Sequence, residues 1–442
     1  MRIHFIGIGG IGISALAQYY LNQGHQISGS DLVSSETTVA LKKMGAKILI
    51  GPHRAKNINK KIDLVVYSPA IEKNNPELKR AQQLKIKCLT YPEALGELTK
   101  KYFTISVCGT HGKSTVTSML GLLLVKAGFD PTVIVGTKLK EFGNTNFRAG
   151  KSDIWVIESD EHFASFLNYW PDIIVLTTLE PDHLDYYQNF KNYILAFKKF
   201  ISHLSWQGTL VINGDDKNIS QLRKQIDKLP IKIKTYSLKQ IESKKLRKLL
   251  QIPGLHNIAN GLAVLTVARL LKIPNKISFK ALAEYKGAWR RFEEHQLKIK
   301  NHPFKLINDY AHHPTEIKAT LEAARNKYFD KKIWCIYQPH QYQRTFYLFN
   351  DFVKVFRQCP IDRLLITDIY SVAGRESAVI KKKVSAEKLV KKVNKNNVVY
   401  LPKKEILDYL KKNLQSCDVL IMMGAGDIYE LSKKIIKFII KK

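Results

Sequence analysis

Short apolar runs alternate with amphipathic segments along the whole chain, and this alternation predicts an α/β fold with largely parallel sheets. At the amino end the pattern predicts a strand over Ile3–Ile8, a helix over Ile11–Gln23 and a strand over Gln26–Ser30. Three further strands of this first unit are predicted at Lys47–Ile50, Leu64–Tyr67 and Lys87–Leu89.

The rest of the chain repeats the alternation of strands and helices. A strand over Tyr102–Val107 leads into a glycine turn and an amphipathic helix from about Lys113, with one apolar face. The segment Lys232–Leu250 is charged and weakly periodic, so it predicts no particular element. Later strands are predicted at Ile154–Glu158, Ile173–Thr177, Thr209–Ile212, Lys305–Asn308, Lys332–Tyr337, Arg363–Thr367, Asn397–Leu401 and Val419–Met422.

Two breaks in this pattern indicate three domains. The first break is the polar stretch Leu98–Lys101, and the second lies around Gly287–Arg291. The predicted domains are therefore residues 1–98, 99–288 and 289–442, which suits a chain of 442 residues that is too long for one ordinary core.

The overall charge is strongly basic, with 71 Lys and Arg against 38 Asp and Glu and a formal net charge of +33. A clustered basic patch would indicate a nucleic-acid partner. Here the lysines are spread along the chain, with only short runs such as 381–383. We therefore expect no specific nucleic-acid partner, although a positive field favours anionic substrates.

Cysteine usage and hydropathy indicate the compartment. The five cysteines are scattered and form no CxxC pair, which fits a reducing environment and argues against a structural zinc site. No stretch reaches the roughly 18 uninterrupted apolar residues of a membrane span. The apolar start of the chain is broken by glycines and is better explained as a strand than as a signal peptide. A cytoplasmic protein without membrane contact is expected.

The strongest chemical signal is a glycine turn between a strand and a helix. Backbone N–H groups of such a turn converge on phosphate oxygens, and the helix dipole favours the negative charge. A lysine in the turn would neutralise β- and γ-phosphates, and the next hydroxyl would bind Mg²⁺. The full GxxxxGK[ST] pattern would have glycine at Val107, so this is a shortened variant. The predicted ATP-binding residues are Gly109, Thr110, His111, Gly112, Lys113, Ser114 and Thr115.

Acidic and imidazole residues follow two later strands. Glu158 ends one predicted strand, and His183 follows another in the string EPDH. Carboxyl ends of parallel strands gather at one edge of a sheet, beside the phosphate loop. Glu158 is thus a candidate Mg²⁺ ligand, while His183 would bind a second cation or position the γ-phosphate. Either cluster alone would more often be a solvated loop.

A second glycine-rich turn lies at the amino end. The glycines are Gly7, Gly9, Gly10 and Gly12, and Asp31 follows the next strand. This arrangement resembles a dinucleotide fingerprint, but its glycines fall one position off GxGxxG. NAD, FAD and UDP all satisfy the same physics, so this motif leaves the ligand open.

Three later segments supply candidate contacts. Asn257 and Asn260 begin an apolar helix, where amides can read an adenine edge. Asp309 and His312 follow one strand, and the string QPHQYQRT follows the next. Isolated residues of these types are often helix caps or core polar groups, and Pro314-Thr315 is a helix start.

Taken together, the strings resemble the Mur ligase family over essentially the whole chain. The resemblance implies a Rossmann-like amino-terminal domain, a central P-loop ATPase domain with a parallel sheet, and a Rossmann-like carboxy-terminal domain. It also implies peptidoglycan biosynthesis, in which ATP with Mg²⁺ activates UDP-N-acetylmuramate as an acyl phosphate and L-alanine attacks it. The matching strings are HFIGIGGIGIS, SGSD, YSPAI, CGTHGKST, ESDEHFASFL, LEPDHLDYY, PGLHNIANGLA, RRFE, NDYAHHPTE, QPHQYQRT and MGAGDIYEL.

The resemblance also implies residue roles. Lys113, His183, His340 and Arg344 would be catalytic, and Ser114, Glu158 and His183 would lie at the metal sites. UDP-sugar contacts would come from the glycines Gly7–Gly12 with Ser14, Asp31 and Ser68. The remaining ATP contacts would be Asn257, Asn260, Arg291, Asp309 and His312. A monomer or weak homodimer is expected.

Departures from the family pattern affect specificity rather than reaction class. Ser114 replaces the usual Thr, Gln341 stands where Arg is general, and Ala288-Trp289 is atypical. A ligase that attaches a whole tripeptide to the same sugar nucleotide is the alternative within the family. A nicotinamide-dependent oxidoreductase would leave the Lys113 loop unexplained, and a nucleic-acid-binding ATPase would predict polynucleotide-stimulated turnover.

Overall fold

The computed structural model describes residues 1–299, 302–372, 378–414 and 417–440. They form three β-sheets and divide into two compact units. The first unit comprises Met1–Glu180, Lys191–Glu242 and Asn260–Ala283, and the second comprises Pro181–Phe190, Ser243–Ala259 and Glu284–Lys442.

The amino-terminal sheet of the first unit is parallel throughout. Its elements are β1 (Arg2–Ile6), α1 (Ile11–Asn22), β2 (Gln26–Asp31), α2 (Glu36–Lys43), β3 (Lys47–Ile50), β4 (Leu64–Tyr67), α3 (Pro76–Gln83), β5 (Lys87–Thr90) and α4 (Tyr91–Thr99). The strand order is β3-β2-β1-β4-β5, so the order reverses beside β1. Ligands of open α/β sheets bind outside the carboxyl ends of strands at such a reversal.

The second sheet of the first unit is larger and mostly parallel. The elements that follow are β6 (Phe103–Cys108), α5 (Lys113–Lys126), β7 (Thr132–Leu139), β8 (Thr145–Arg148), β9 (Ile154–Glu158), β10 (Ile173–Leu176), α6 (Leu184–Tyr187), α7 (Phe190–Ile201), β11 (Thr209–Asn213), α8 (Lys217–Ile226), β12 (Lys232–Tyr236), α9 (Glu242–Leu249), α10 (Leu255–Leu270) and α11 (Asn275–Glu284). The strand order is β12-β11-β10-β6-β9-β7-β8, and β7 pairs with β8 antiparallel. The strand β6, which precedes the phosphate loop, lies at the centre of this sheet.

The third sheet belongs to the second unit. Its elements are β13 (Glu293–Ile299), β14 (His302–Asp309), α12 (Pro314–Lys327), β15 (Ile333–Tyr337), α13 (Tyr342–Tyr347), α14 (Phe349–Gln358), β16 (Arg363–Ile366), α15 (Ala378–Lys383), α16 (Ala386–Val393), β17 (Val398–Tyr400), α17 (Lys403–Asn413), β18 (Val419–Met423) and α18 (Ile428–Ile440). The order is β13-β14-β18-β15-β16-β17, with an antiparallel β13–β14 pair. On β15, Cys335 and Tyr337 join one core cluster and Trp334 and Ile336 join the other, so both sheet faces are covered.

The predicted α/β class and all the predicted strands are confirmed, with ends that differ by at most three residues. The first strand stops at Ile6 because Gly7 turns the chain at φ +77°. Helix α5 is not amphipathic as predicted, since every residue of Ser114–Leu124 is buried. The segment Lys232–Leu250 holds a strand and a helix, and β7, β8 and β13 were not predicted.

Two global expectations concern cysteines and membranes. All five cysteines lie within the described residues and are free thiols, as their scattered positions predict. In the same part of the chain, no helix combines the length and the apolar character that a bilayer span requires.

Candidate nucleotide and ligation site

The phosphate loop of the first unit joins β6 to α5 in a conformation that requires glycine. Gly109 has φ +125° and Gly112, the N-cap of α5, has φ +83°. A Cβ on Gly112 would lie 2.6 Å from the Asn260 side-chain oxygen. The loop therefore presents its backbone at the amino end of a buried helix, where N–H groups and the helix dipole favour an anion.

Backbone groups and side-chain hydroxyls anchor the loop to the residues that follow β10. The Thr110 amide donates to the Thr178 carbonyl at 2.9 Å, and the His111 amide donates to the Thr178 hydroxyl at 2.9 Å. The Glu180 amide in turn donates to the Thr110 hydroxyl at 2.8 Å. These bonds fix the loop, because buried backbone groups in a turn need such partners.

The Lys113 ammonium lies within the loop and pairs with an acidic side chain. Its Nζ donates to the Gly109 carbonyl at 2.8 Å and to the Glu161 carboxylate at 2.8 and 3.1 Å. Burial works against the charged form, but the Glu161 and Asp160 carboxylates outweigh it and raise the pKa of Lys113. The lysine is thus a cation at neutral pH, as phosphate binding requires.

Ser114 and Glu158 meet as the sequence predicts. The Ser114 hydroxyl donates to Glu158 Oε1 at 2.9 Å, and the Gly136 amide donates to Glu158 Oε2 at 2.6 Å. A hydroxyl and a carboxylate on one side of a phosphate loop are the oxygen ligands that Mg²⁺ prefers. The donor set therefore fits a magnesium ion, with the remaining ligands left to water and phosphate.

The amino-terminal glycines and their predicted partners also come together. The Gly9 amide donates to Asp31 Oδ2 at 2.8 Å, and the Gly7 amide donates to the Ser30 carbonyl at 2.9 Å. Ser68 lies beside Gly7, where an added Cβ would be 3.2 Å from the Ser68 Cβ. Ser14 is buried in the first turns of α1, with its hydroxyl on the Ile11 carbonyl at 3.0 Å.

Gly7, Asp31 and Ser68 thus lie at the carboxyl ends of β1, β2 and β4, while Ser14 lies on α1. Backbone amides of a glycine turn before a helix can hold a pyrophosphate, and an acidic residue at the next strand end can hold a ribose or base. Because the Gly9 amide donates to Asp31, the glycine turn and the acidic residue of the motif lie side by side and form one surface.

In the second unit, Arg344 and Asp182 form a buried ion pair. Arg344 Nη2 lies 3.1 Å and its Nε 3.3 Å from Asp182 Oδ1. Burial alone would raise the pKa of the Asp182 carboxyl, but the Arg344 guanidinium and three nearby imidazoles together outweigh it and lower that pKa well below its usual range. Arg344 Nη1 also lies 3.4 Å from His340 Nδ1.

The imidazole and carboxylate groups around this pair have altered acidity. Burial and the nearby Arg344 charge lower the pKa of His312 to about 3, so this ring is neutral at physiological pH. Burial raises the pKa of Asp309 to about 6, against the amides of Ala311 and Phe292 that donate to it at 2.8 Å. Perturbed groups of this kind concentrate at functional sites.

The other predicted residues of the second unit lie close by. The His312 and His340 rings are 6.0 Å apart, and His340 stacks on Tyr370 at 5.5 Å. Arg291 reaches Glu316 at 3.8 Å, and the Glu316 carboxylate accepts the His312 amide at 3.1 Å.

Four residues occupy special backbone or helix positions. His183 caps α6 in a left-handed conformation at φ +52°, with its amide on Asp182 Oδ1 at 2.7 Å. Gln341 is buried at φ +72° as the N-cap of α13. Asn257 donates to the Pro253 carbonyl at 2.6 Å in the second unit, and Asn260 faces Gly112 in the first.

Sequence reasoning missed several contributors to these clusters. Glu161 and Asp182 stand within the quoted strings ESDE and EPDH, and only their partners distinguish them from solvated acids. Gly136 had no signal because β7 was not predicted. Glu316 is the third residue of α12, where an acidic residue reads as part of a capping box.

A large groove lies elsewhere in the first unit. A cavity of about 710 Å³ opens beside Lys100, Tyr102, Trp170 and His203, at the amino ends of β6 and β10. The phosphate loop follows the carboxyl end of β6. The cavity therefore lies at the other end of that strand and is not the phosphate-binding site that the loop indicates.

Comparison with known proteins agrees with this geometry. Three family models match consecutive parts of the chain: "Mur ligase family, catalytic domain" over residues 2–103, "Mur ligase middle domain" over 107–249, and "Mur ligase, glutamate ligase domain" over 290–426. They cover most of the chain in the order that the sequence motifs indicate.

Curated relatives match over the full length. Proteins named UDP-N-acetylmuramate–L-alanine ligase are similar, at 39% identity in Sulfurihydrogenibium sp. (strain YO3AOP1), covering 100% of this chain and 98% of the relative, and at 40% in Persephonella marina, covering 100% and 97%. The solved UDP-N-acetylmuramate–alanine ligase of Thermotoga maritima is 27% identical, covers 99% of both chains and has a TM-score of 0.79. A murein peptide ligase structure from Psychrobacter arcticus shares the fold at 20% identity and a TM-score of 0.73.

These matches confirm the predicted resemblance and the three-domain α/β architecture. The chain belongs to the Mur ligase family.

Proposed function

We propose that this chain joins L-alanine to the carboxylate of UDP-N-acetylmuramate, with ATP as the phosphoryl donor, in peptidoglycan biosynthesis. The observation that carries the proposal is the phosphate loop, where the Lys113 ammonium lies beside the Ser114–Glu158 pair at the amino end of α5. The names of relatives at 39–40% identity over the full length support the choice of the two substrates to be joined.

The chemistry follows from the weakness of a carboxylate as an acyl donor. An oxide is a poor leaving group, so the carboxylate oxygen first attacks the γ-phosphorus of ATP and ADP leaves. The acyl phosphate then has a good leaving group. The amine nitrogen attacks its carbonyl carbon through a tetrahedral intermediate and loses a proton, and phosphate departs as the amide forms.

The phosphoryl step requires positioning and charge compensation more than covalent help. Lys113 and the amides of Gly109–Gly112 would hold the phosphates. Ser114 and Glu158 would hold Mg²⁺, which when bound neutralises phosphate charge, and His183 would serve a second cation or the γ-phosphate. Asn260, whose oxygen faces Gly112, would contact the nucleotide.

The second unit would contribute the groups around the reacting carboxylate and amine. Arg344 is fixed by Asp182 and would present a guanidinium to the carboxylate, with His340 beside it. Asn257, Arg291, Asp309 and His312 would contact adenine, ribose and phosphates.

The amino-terminal glycines would bind the UDP moiety, with Ser14, Asp31 and Ser68 completing the surface. We further propose domain boundaries at residues 1–98, 99–288 and 289–442. The proposed setting is cytoplasmic, where ATP and sugar nucleotides are available, with a monomer or weak homodimer and no nucleic-acid or membrane partner.

A product assay tests this proposal. Purified protein is incubated with ATP, Mg²⁺ and UDP-N-acetylmuramate plus either a tripeptide or one of a panel of amino acids. The products are identified by their masses in mass spectrometry. We expect one ADP per UDP-N-acetylmuramoyl-alanine with L-alanine, and little product with the tripeptide. Preference for the tripeptide would instead identify the recycling type of ligase.

A loop variant and a matched control sharpen the assay. Lys113→Met removes the cation from the loop and should lower kcat by about a hundredfold, because one lost charge contact to a transferring phosphoryl group has effects of this order. Lys199→Met removes an exposed lysine from α7 and should leave the rate within about twofold. Equal rates for the parent and Lys113→Met would contradict the proposal.

A further inference from the structure

Glu161 is a buried carboxylate that the motif reasoning did not assign. It is fully buried, and it precedes a short 3₁₀ helix at His162–Asn168. Both of its oxygens accept hydrogen bonds from the Lys113 ammonium, at 2.8 and 3.1 Å. A buried carboxylate is stable only when it is paired in this way.

The protein itself supplies hydrogen-bond acceptors for all the donors of the Lys113 ammonium. An ammonium group has three donors, and four acceptors surround it: both Glu161 oxygens at 2.8 and 3.1 Å, the Gly109 carbonyl at 2.8 Å and the Thr110 carbonyl at 3.4 Å. A phosphate that approaches Lys113 must therefore replace at least one of these acceptors. It also brings negative charge next to a carboxylate that has no access to water.

A second group holds Glu161 in place independently of Lys113. The Tyr193 hydroxyl on α7 donates to Glu161 Oε1 at 3.3 Å, and the same hydroxyl lies 3.1 Å from the Thr110 hydroxyl of the loop. Tyr193 is itself fully buried. The carboxylate is thus built into the site and can share its charge with Tyr193 when Lys113 turns away.

We propose that Glu161 is a positioning residue that acts as an internal anion: it holds Lys113 in the nucleotide-free site, and a nucleotide phosphate must displace it from the ammonium. Glu161 therefore weakens nucleotide binding while keeping the lysine charged and in place. This inference rests on the proposed binding of ATP at the phosphate loop.

The test is the dissociation constant of Mg·ATP for the parent and for Glu161→Gln, measured by calorimetry on the full chain. The glutamine keeps the shape and an acceptor for Lys113 but removes the competing charge. We expect Glu161→Gln to bind ATP about tenfold more tightly, since like charges in contact oppose binding. A merely structural role would make binding weaker.

The matched control is Glu97→Gln, which removes the same charge from an exposed carboxylate paired with Lys100 at 2.9 Å. It should leave the dissociation constant within about twofold of the parent value. If Glu97→Gln and Glu161→Gln tightened ATP binding equally, the cause would be the net charge of the protein rather than the contact with Lys113. That result would overturn the inference.

A second variant, Tyr193→Phe, tests the inference if Glu161→Gln does not fold. Tyr193→Phe removes the hydroxyl that shares the Glu161 charge, so the carboxylate holds Lys113 more strongly and ATP should bind at least about twofold more weakly. Unchanged or tighter binding by Tyr193→Phe would overturn the inference, as would a folded Glu161→Gln that binds no more tightly. A parent protein that binds no ATP would contradict the proposed function as well.

Discussion

Glu77 shows how one residue secures the amino-terminal sheet. Its fully buried carboxylate accepts hydrogen bonds from Ser30 Oγ at 2.6 Å and Asn57 Nδ2 at 2.6 Å, and it lies 3.2 Å from His4 Nε2. Burial alone would raise the pKa of Glu77, but these bonds outweigh it and lower the pKa to about 2. Four separate segments, β1, β2, α3 and the turn Ala55–Asn57, are joined by this group.

The lowered pKa predicts a pH-dependent contribution to stability. A depressed folded pKa stabilises the protein above the usual value of 4.5, and that stabilisation is lost as the pH falls toward 2. Glu77→Gln turns an amide N–H toward hydrogen-bond donors and should lower the free energy of unfolding by roughly 2 kcal/mol at pH 7. Urea unfolding at pH 7, 5, 4 and 3 should show this deficit shrinking below pH 5.

The control for this change is Glu72→Gln, an exposed residue just before α3. It should shift the free energy of unfolding by less than about 0.5 kcal/mol. A Glu77→Gln deficit that stays constant from pH 7 to pH 3 would show that the carboxylate charge is not the source of the stabilisation.

At the residue scale, sequence predicts side chains whose chemistry is local to a motif. The meeting of Ser114 with Glu158 follows from strand ends that share one sheet edge. Glu161 and Glu77 could not be assigned, because their roles depend on partners 48 and 73 positions away. From sequence alone, an acidic residue is expected to be solvated, and only the packed structure shows that these two are buried.

At the scale of elements, helix α5 has glycines at both ends with nearly the same positive φ angle. Gly112 has φ +83° before the helix, and Gly128 has φ +81° just after it. A Cβ on Gly112 would lie 2.6 Å from the Asn260 side-chain oxygen, whereas nothing lies within 4 Å of one on Gly128. An alanine at either position would cause backbone strain, but only an alanine at Gly112 would also clash at the loop. Comparing the two therefore separates the effect of strain from the effect of crowding.

This comparison gives a paired prediction. Gly112→Ala should displace the phosphate loop and weaken ATP binding by at least about tenfold, because the backbone can no longer approach the phosphates. Gly128→Ala carries a similar left-handed strain of about 1 kcal/mol, which should appear in stability alone. Calorimetric titration with ATP and thermal unfolding of both variants measure the two effects. Equal ATP affinities in the two variants would rule out the loop as the phosphate site.

The predicted elements were those with a continuous apolar signal. Central strands such as β10 are buried on both faces and have apolar sequences, and β6 keeps most of that signal although Thr104 and Ser106 are buried within it. Strands β8, β12 and β13 lie at sheet edges, and β12 exposes most of its residues. Strand β7 is interrupted by Gly136. The sequence of helix α5 predicts an amphipathic helix because its buried serines and threonines are polar residues.

At the scale of the whole molecule, each of the three sheets carries candidate side chains where its strands end. The α/β class and the family follow from motifs that stand in one order along the chain. The division into compact units does not follow from the sequence. Pro181–Phe190 groups with the second unit, where Asp182 pairs with Arg344 across 162 positions.

The net charge of +33 is a whole-chain property that no single motif explains. The proposed chemistry depends on a few cations at defined positions, chiefly Lys113 and Arg344. The central claim is that the γ-phosphoryl group of ATP passes to the sugar-linked carboxylate.

Oxygen transfer tests that claim most directly. UDP-N-acetylmuramate labelled with ¹⁸O in its carboxylate is turned over with ATP, Mg²⁺ and L-alanine, and the released phosphate is analysed by ³¹P NMR. If the carboxylate attacks the γ-phosphorus, each phosphate carries one ¹⁸O and the new amide keeps the other. Unlabelled phosphate would mean that water receives the phosphoryl group, and the acyl-phosphate account would be wrong.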